Sequence, residues 1–140
     1  MSITRIVGDF ASDGVIRKGY FSDAATGTSA YTMAEVMAGH IIRTPTGAAA
    51  DTFPTAAAIV AYINDNVRGG AQVGDSIDVT VRNLSGGANT ITISANTGLT
   101  LSGTMTIAQN FMKTFKLVVI TPTIGSEAVT VYTMNASQAV

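Results

Sequence analysis

From Gly74 to Met134 turn chemistry recurs every few residues, and the intervals between turns leave room for short strands rather than for helices of ordinary length. The sequences between the turns alternate as half-buried strands do. Ile77, Val79 and Val81 fall on one face, and Asp78, Thr80 and Arg82 on the other. The signal repeats at "TITI" (90–93), "LTL" (99–101), "TMTIA" (104–108), "KTFKLVVI" (113–120) and "AVTVYTM" (128–134). Between these lie "LSGGAN", "SANTG" and "TPTIGS", whose Gly, Asn, Pro and Ser supply turns.

The first half reads differently. Residues 1–31 carry six of the seventeen charges, with apolar residues scattered among Gly, Ser and Asp, so they read as an extended N-terminal arm holding one or two short strands. Thr32 and Glu35 then stand at capping-box spacing, which predicts a helix of one or two turns ending at Gly39. Ile41 and Ile42 lead into a turn at Thr44–Gly47. Thr55 caps a second predicted helix whose residues 56–63 are apolar throughout and which stops by Gly69–Gly70. A helix that is apolar on every face is normally covered on more than one side. The expected fold is therefore mainly β: an antiparallel β-sandwich or barrel with one or two short helices, comprising an arm at 1–31 and a single β-rich domain at 32–140.

Charge narrows the function. Asp, Glu, Lys and Arg make up 12% of the chain, about half of the ~25% usual in soluble domains, and residues 83–112 contain none of them and no histidine. Threonine takes their place. Its β-branch suits a strand, and its hydroxyl satisfies water yet enters an interface at little cost, whereas an unpaired buried charge costs several kcal/mol. Interface cores are depleted of charge in the same way. Ile59, Tyr62, Leu99, Leu101, Met105 and Phe111 are accordingly the candidate oligomer-interface residues. With a net charge of −1 the chain lacks the basic face that nucleic-acid binding demands, and it shows no secretion signal or membrane anchor.

No constellation for catalysis, metal or cofactor binding is evident. There is no cysteine, and His40 is the single histidine, placed after a helix end where it suits a structural role. Asp75 and Asp78, three apart on a strand, point to opposite faces and read as a turn cap and a solvent-facing residue. "RGGAQVGDS" lacks the GK[ST] ending of a phosphate loop. Tyr20, Tyr62, Phe111 and Phe115 are too scattered for a sugar platform and read as core positions. An enzyme is not expected.

The runs "DTFPTAAAIVAYI", "VGDSIDVTVRN", "NTITISANTGLTLSGTMTIAQNFMKTFKLVVI" and "GSEAVTVYTM" resemble those of short capsid decoration, or cement, proteins of tailed bacteriophages and related environmental viruses. The likeness covers residues 32–134 and leaves the arm outside it. It implies a homotrimer on the outer capsid surface of a virion, with the major capsid protein as partner and no active site. It also implies an arm that latches onto the shell, for which Ile3, Ile6, Val7 and Phe10 are the candidates. The alternatives are another virion component, such as a head-fibre base or tail protein, and a carbohydrate-binding β-module for host attachment.

Overall fold

The computed structural model describes residues 20–134. Among these residues two sheets and two helices enclose one hydrophobic cluster, and the chain is mainly β. Strand β1 (Phe21–Asp23) is followed by α1 (Met33–Ala38), β2 (His40–Arg43), β3 (Ala49–Thr52) and α2 (Ala56–Asn66). Then come β4 (Ser76–Asn83), β5 (Ile91–Ser94), β6 (Leu99–Ser102), β7 (Thr106–Ile107), β8 (Met112–Thr121) and β9 (Ala128–Thr133). The larger sheet has the order β1-β2-β4-β8-β9-β6, and the smaller one β3-β5-β7.

Both helices start where local chemistry places them. The Thr32 hydroxyl accepts from the Glu35 N–H at 3.3 Å, and the Glu35 carboxylate accepts from the Thr32 N–H at 2.9 Å, so two N–H groups that the helix leaves over are satisfied. Gly39 ends α1 in the left-handed region at φ 85°. The Thr55 hydroxyl accepts from Ala58 N–H and opens α2. Ala56, Ile59, Val60 and Ile63 turn inward. The outward side carries exposed Ala57, Ala58 and Ala61 beside the half-buried Tyr62, so one side of α2 is covered, not several.

The expectation of antiparallel sheets is corrected. β4–β8, β8–β9 and β5–β7 are antiparallel, but β1–β2, β2–β4, β3–β5 and β6–β9 are parallel. Reading hairpins from closely spaced turns presumes that strands adjacent in sequence pair with each other. Here α1 carries the chain from β1 back alongside itself as β2, and β3 with α2 does the same between β2 and β4, as parallel neighbours require. Part of the supposed arm also belongs to the domain: β1 is an edge strand, Ala30 bridges Thr52, and Tyr31 is buried. Ile3, Ile6, Val7 and Phe10 lie outside the described residues.

The core lies on one face of the larger sheet. Val79, Val81, Phe115, Leu117, Val119, Val129 and Val131 are 0–1% exposed there, and with them cluster Val36, Ile59, Val60 and the inward Ile91, Ile93 and Ile107 of the smaller sheet. Burying a side chain of this size contributes about 1.5–3 kcal/mol. Phe53 links the ends, its ring 5.5 Å from Tyr31 and 5.4 Å from Phe115.

One close approach gives a test of the packing. Gly98 has φ 79°, and a Cβ there would lie 2.6 Å from the Ala56 Cβ and 2.9 Å from the Glu127 carbonyl oxygen. Gly98→Ala is expected to lower the unfolding free energy by about 2–4 kcal/mol, combining left-handed strain with overpacking. Urea denaturation measures it, and a loss within about 0.5 kcal/mol would mean that α2 does not seat against this turn.

Candidate interaction surface

The described titratable groups gather most densely around Arg43, and that cluster is closed. Arg43 and Asp51 face inward from neighbouring segments β2 and β3, both fully buried. Asp51 accepts from Arg43 Nε at 2.7 Å, Arg43 Nη2 at 3.0 Å, the Ser29 N–H at 2.9 Å and the Tyr31 hydroxyl at 2.5 Å. Two further guanidinium N–H groups donate to the carbonyls of Ala25 and Gly27, and Asp23 Oδ1 lies 3.9 Å from Arg43 Nη1 as an ion-pair partner. Asp23 in turn accepts from the Ser29 hydroxyl and the Ala25 N–H. Buried, and engaged with each other and with the loop carbonyls, Arg43 and Asp51 tie residues 23–31 to the sheet.

The titration shifts follow from that geometry. Burial works against the charge on Arg43, but hydrogen bonds and charge from Asp51 outweigh it and raise its pKa. Burial and the adjacent Asp51 carboxylate push the Tyr31 hydroxyl far above its ordinary value. For Asp23 burial pushes upward, yet the Ser29 and Ala25 hydrogen bonds and Arg43 hold the carboxyl below its ordinary range.

A second buried polar knot positions the turn before β8. The Asn83 amide donates to the carbonyls of Asn89 at 2.9 Å and Ile107 at 3.0 Å, and its oxygen accepts from Ser85 N–H. The Asn83 backbone grips the turn as well: its N–H donates to the Phe111 carbonyl and its carbonyl accepts from Asn110 N–H. Asn110 sits at φ 66°, a conformation asparagine tolerates better than most residues. Phe111 and Met112 are thereby held outward, 62% and 58% exposed.

The sequence-derived interface candidates do not share one surface. Ile59 and Leu99 are buried in the chain's own core and offer no side chain to a second copy; Leu101 and Met105 pack half-buried against that core. Tyr62 is half-buried on α2, and Phe111 is exposed. Apolar type alone could not tell which of these the chain covers itself. Of the four aromatics read as core, Phe115 is in the core, while Tyr20 and Phe111 are exposed. Asp75 accepts from Gln72 N–H in a turn, and Asp78 faces outward, as their spacing indicated. His40 lies on β2 with Nε2 buried and without a hydrogen-bond partner, so that nitrogen does not cap a helix carbonyl.

What the sequence reading missed is the outer face of the larger sheet. The helices and the smaller sheet lie against the inward residues, and the alternate residues point away from them. Register sets out this face in rows. Ser76, Val118, Thr130 and Thr100 form one; Asp78, Lys116, Tyr132 and Ser102 the next. His40, Thr80, Thr114 and Met134 form a third, where the Thr80 and Thr114 hydroxyls share a 2.8 Å hydrogen bond; Ser22, Ile42, Arg82 and Met112 form the fourth. Met112, Ile120, Tyr132 and Met134 are each at least 40% exposed. The signal was present in "LVVI" at 117–120: four consecutive apolar residues on a strand place apolar groups on both faces.

Among the described residues no group of His, Asp or Glu is arranged to hold a metal ion. Among the same residues no helix is long and apolar enough to cross a membrane. Comparison with protein-family models, curated proteins and solved structures finds no match to this chain.

Proposed function

We propose that the protein is a virion structural protein, a homo-oligomeric decoration or cement protein that binds and stabilises the outer surface of a capsid shell. The observation that carries the reading is the open face of the six-stranded sheet. It presents Met112, Ile120, Tyr132 and Met134 among threonines and serines, with its central charges Asp78 and Lys116 paired to each other, a composition suited to a lasting protein contact. The sequence resemblance adds the identity of the partner, a major capsid protein, and the trimeric stoichiometry. In this reading the two sheets act as a sandwich, and the residues before Tyr20 act as the arm, with Ile3, Ile6, Val7 and Phe10 touching the lattice.

The test is reconstitution on capsids stripped of their decoration. Purified protein is expected to bind them saturably, at a fixed number of copies per capsomer, and to raise the temperature at which the shells disrupt. Removal of residues 1–12 should leave the domain folded and reduce occupancy at least tenfold. Non-saturable binding, or shells that melt as they did without the protein, would refute the reading.

A further inference from the structure

We infer that the open face of the six-stranded sheet is a two-fold contact on which a second copy of this chain seats, Asp78 of each copy facing Lys116 of the other. This rests on the oligomeric part of the functional reading and not on its capsid part. The position of the charges is the first argument. β4 and β8 are the two middle strands of six, and Asp78 and Lys116 are directly paired across them, joined at 2.7 Å with side chains 60% and 31% exposed. A two-fold axis lying between two stacked sheets, parallel to the strands and midway between β4 and β8, lays each β4 over the other copy's β8. Asp78 then lies over Lys116 twice, so four charges alternate in sign at the centre, and the Thr80–Thr114 pair stacks on its own copy. Stacked sheets rotate by about 30° relative to each other, and the overlay near the axis survives that rotation best.

The second argument is selectivity among occupants. Among the described residues the remaining charge on this face is Arg82, in the row that ends the sheet at Met112. An acidic or basic partner would bring a like charge to the central pair, and a neutral one would desolvate the pair without adding a counter-charge. A second copy gives each member another opposite charge.

Size is the third. The six strands hold 35 residues, and at ~3.4 Å rise and ~4.8 Å spacing per residue they present a footprint of roughly 570 Å². That is close to the ~600 Å² per partner at the lower end of specific, stable interfaces. The exposed Met112, Ile120, Tyr132 and Met134 around the central charges supply the apolar part.

Sedimentation equilibrium on the full chain tests this. A two-fold contact requires an even-numbered mass: two copies, or six where the trimer implied by the sequence also forms. A monomer or a bare trimer would overturn it. Lys116→Glu, which puts four carboxylates at the axis, is expected to weaken self-association at least thirtyfold, while the exchanged pair D78K/K116D returns it to within about threefold of the parent. Asp78 is exposed and Lys116 partly so, so thermal melting should show each variant folded; self-association unchanged in Lys116→Glu would equally overturn the inference. Stripped-shell binding separates the two readings. An even-numbered assembly that ignores capsids removes the capsid reading alone, and a shell-bound trimer without the two-fold contact removes this one alone.

Discussion

Replacing Asp51 by Asn is expected to lower the unfolding free energy by about 3–5 kcal/mol, the range for removing one member of a buried ion pair. The carboxylate is fully buried and accepts four hydrogen bonds, three of them from Arg43 and Tyr31. An amide in its place leaves the Arg43 guanidinium without its close counter-charge and turns an N–H₂ toward groups that are themselves donors. Tyr31→Phe is milder, about 1.5–3 kcal/mol, since it deletes one hydrogen bond to a charged acceptor. Replacing Arg43 and Asp51 together by Met and Leu should recover much of the Asp51→Asn loss, because no charge is then stranded. Urea denaturation measures all three, and an Asp51→Asn protein within about 1 kcal/mol of the parent would show that the pair does not anchor residues 23–31. The pH dependence has a definite sign on both sides. Asp23 titrates below its ordinary value in the fold, so its contribution is present above about pH 4 and is lost as pH falls through the lower native value. Tyr31 titrates above its ordinary value, so its contribution is present below about pH 10 and is lost as pH rises beyond it, and Tyr31→Phe should remove that alkaline limb.

Why this cluster escaped the sequence reading, when the helix caps did not, is a matter of range. Thr32 and Glu35 are three residues apart and Thr55 acts within one turn, so their chemistry is written locally. The long strands β8 and β9 likewise carry their period in consecutive residues. β2 and β3 are four residues each, "HIIR" and "AADT", and their inward positions include Arg43 and Asp51. Charges at buried positions break the hydrophobic alternation by which a strand is recognised, and only the fold shows that they answer each other.

The uncharged stretch shows the same boundary. Ile91, Ile93, Leu99 and Ile107 in it are the chain's own core, and its exposed positions are mostly threonine, serine, glycine and alanine. Hydroxyls and backbone therefore solvate much of it. Within this stretch the large exposed apolar groups are Phe111 and Met112. Phe111 and Phe115 are the same residue type four apart; the tight turn at Asn110 sends one to solvent, and β8 sends the other into the core. Composition registers a neutral surface but not which face of which strand it occupies.

Asn83→Asp, a change of one atom type at constant shape, is expected to cost about 3–5 kcal/mol near neutral pH. The native amide uses both N–H bonds on the Asn89 and Ile107 carbonyls and its oxygen on the Ser85 N–H, in a fully buried position. A carboxylate keeps the Ser85 contact but sets an anionic oxygen against two carbonyl oxygens, which combines charge burial with lone-pair repulsion. That environment raises the pKa of the new carboxyl. A carboxyl whose folded pKa is raised stabilises, relative to its ionised form, below its ordinary pKa near 4, and the benefit vanishes as pH rises through the native value. The variant should therefore regain stability on acidification, opposite in sign to the loss that Asp23 gives in the parent. Recovery stays partial, because a protonated carboxyl has one O–H for two carbonyls, leaving a deficit of about 1–3 kcal/mol. Asn83→Ala removes the donors without adding charge and is expected to be nearly independent of pH relative to the parent. Because Asn83 also grips the turn through its backbone, fraying should reach Phe111 and Met112 first. Amide exchange at Asn110 and Phe111 is then expected to accelerate at least tenfold in Asn83→Asp at pH 7. A variant that retained parent stability and slow exchange there would show that the Phe111 turn is held by its own backbone alone.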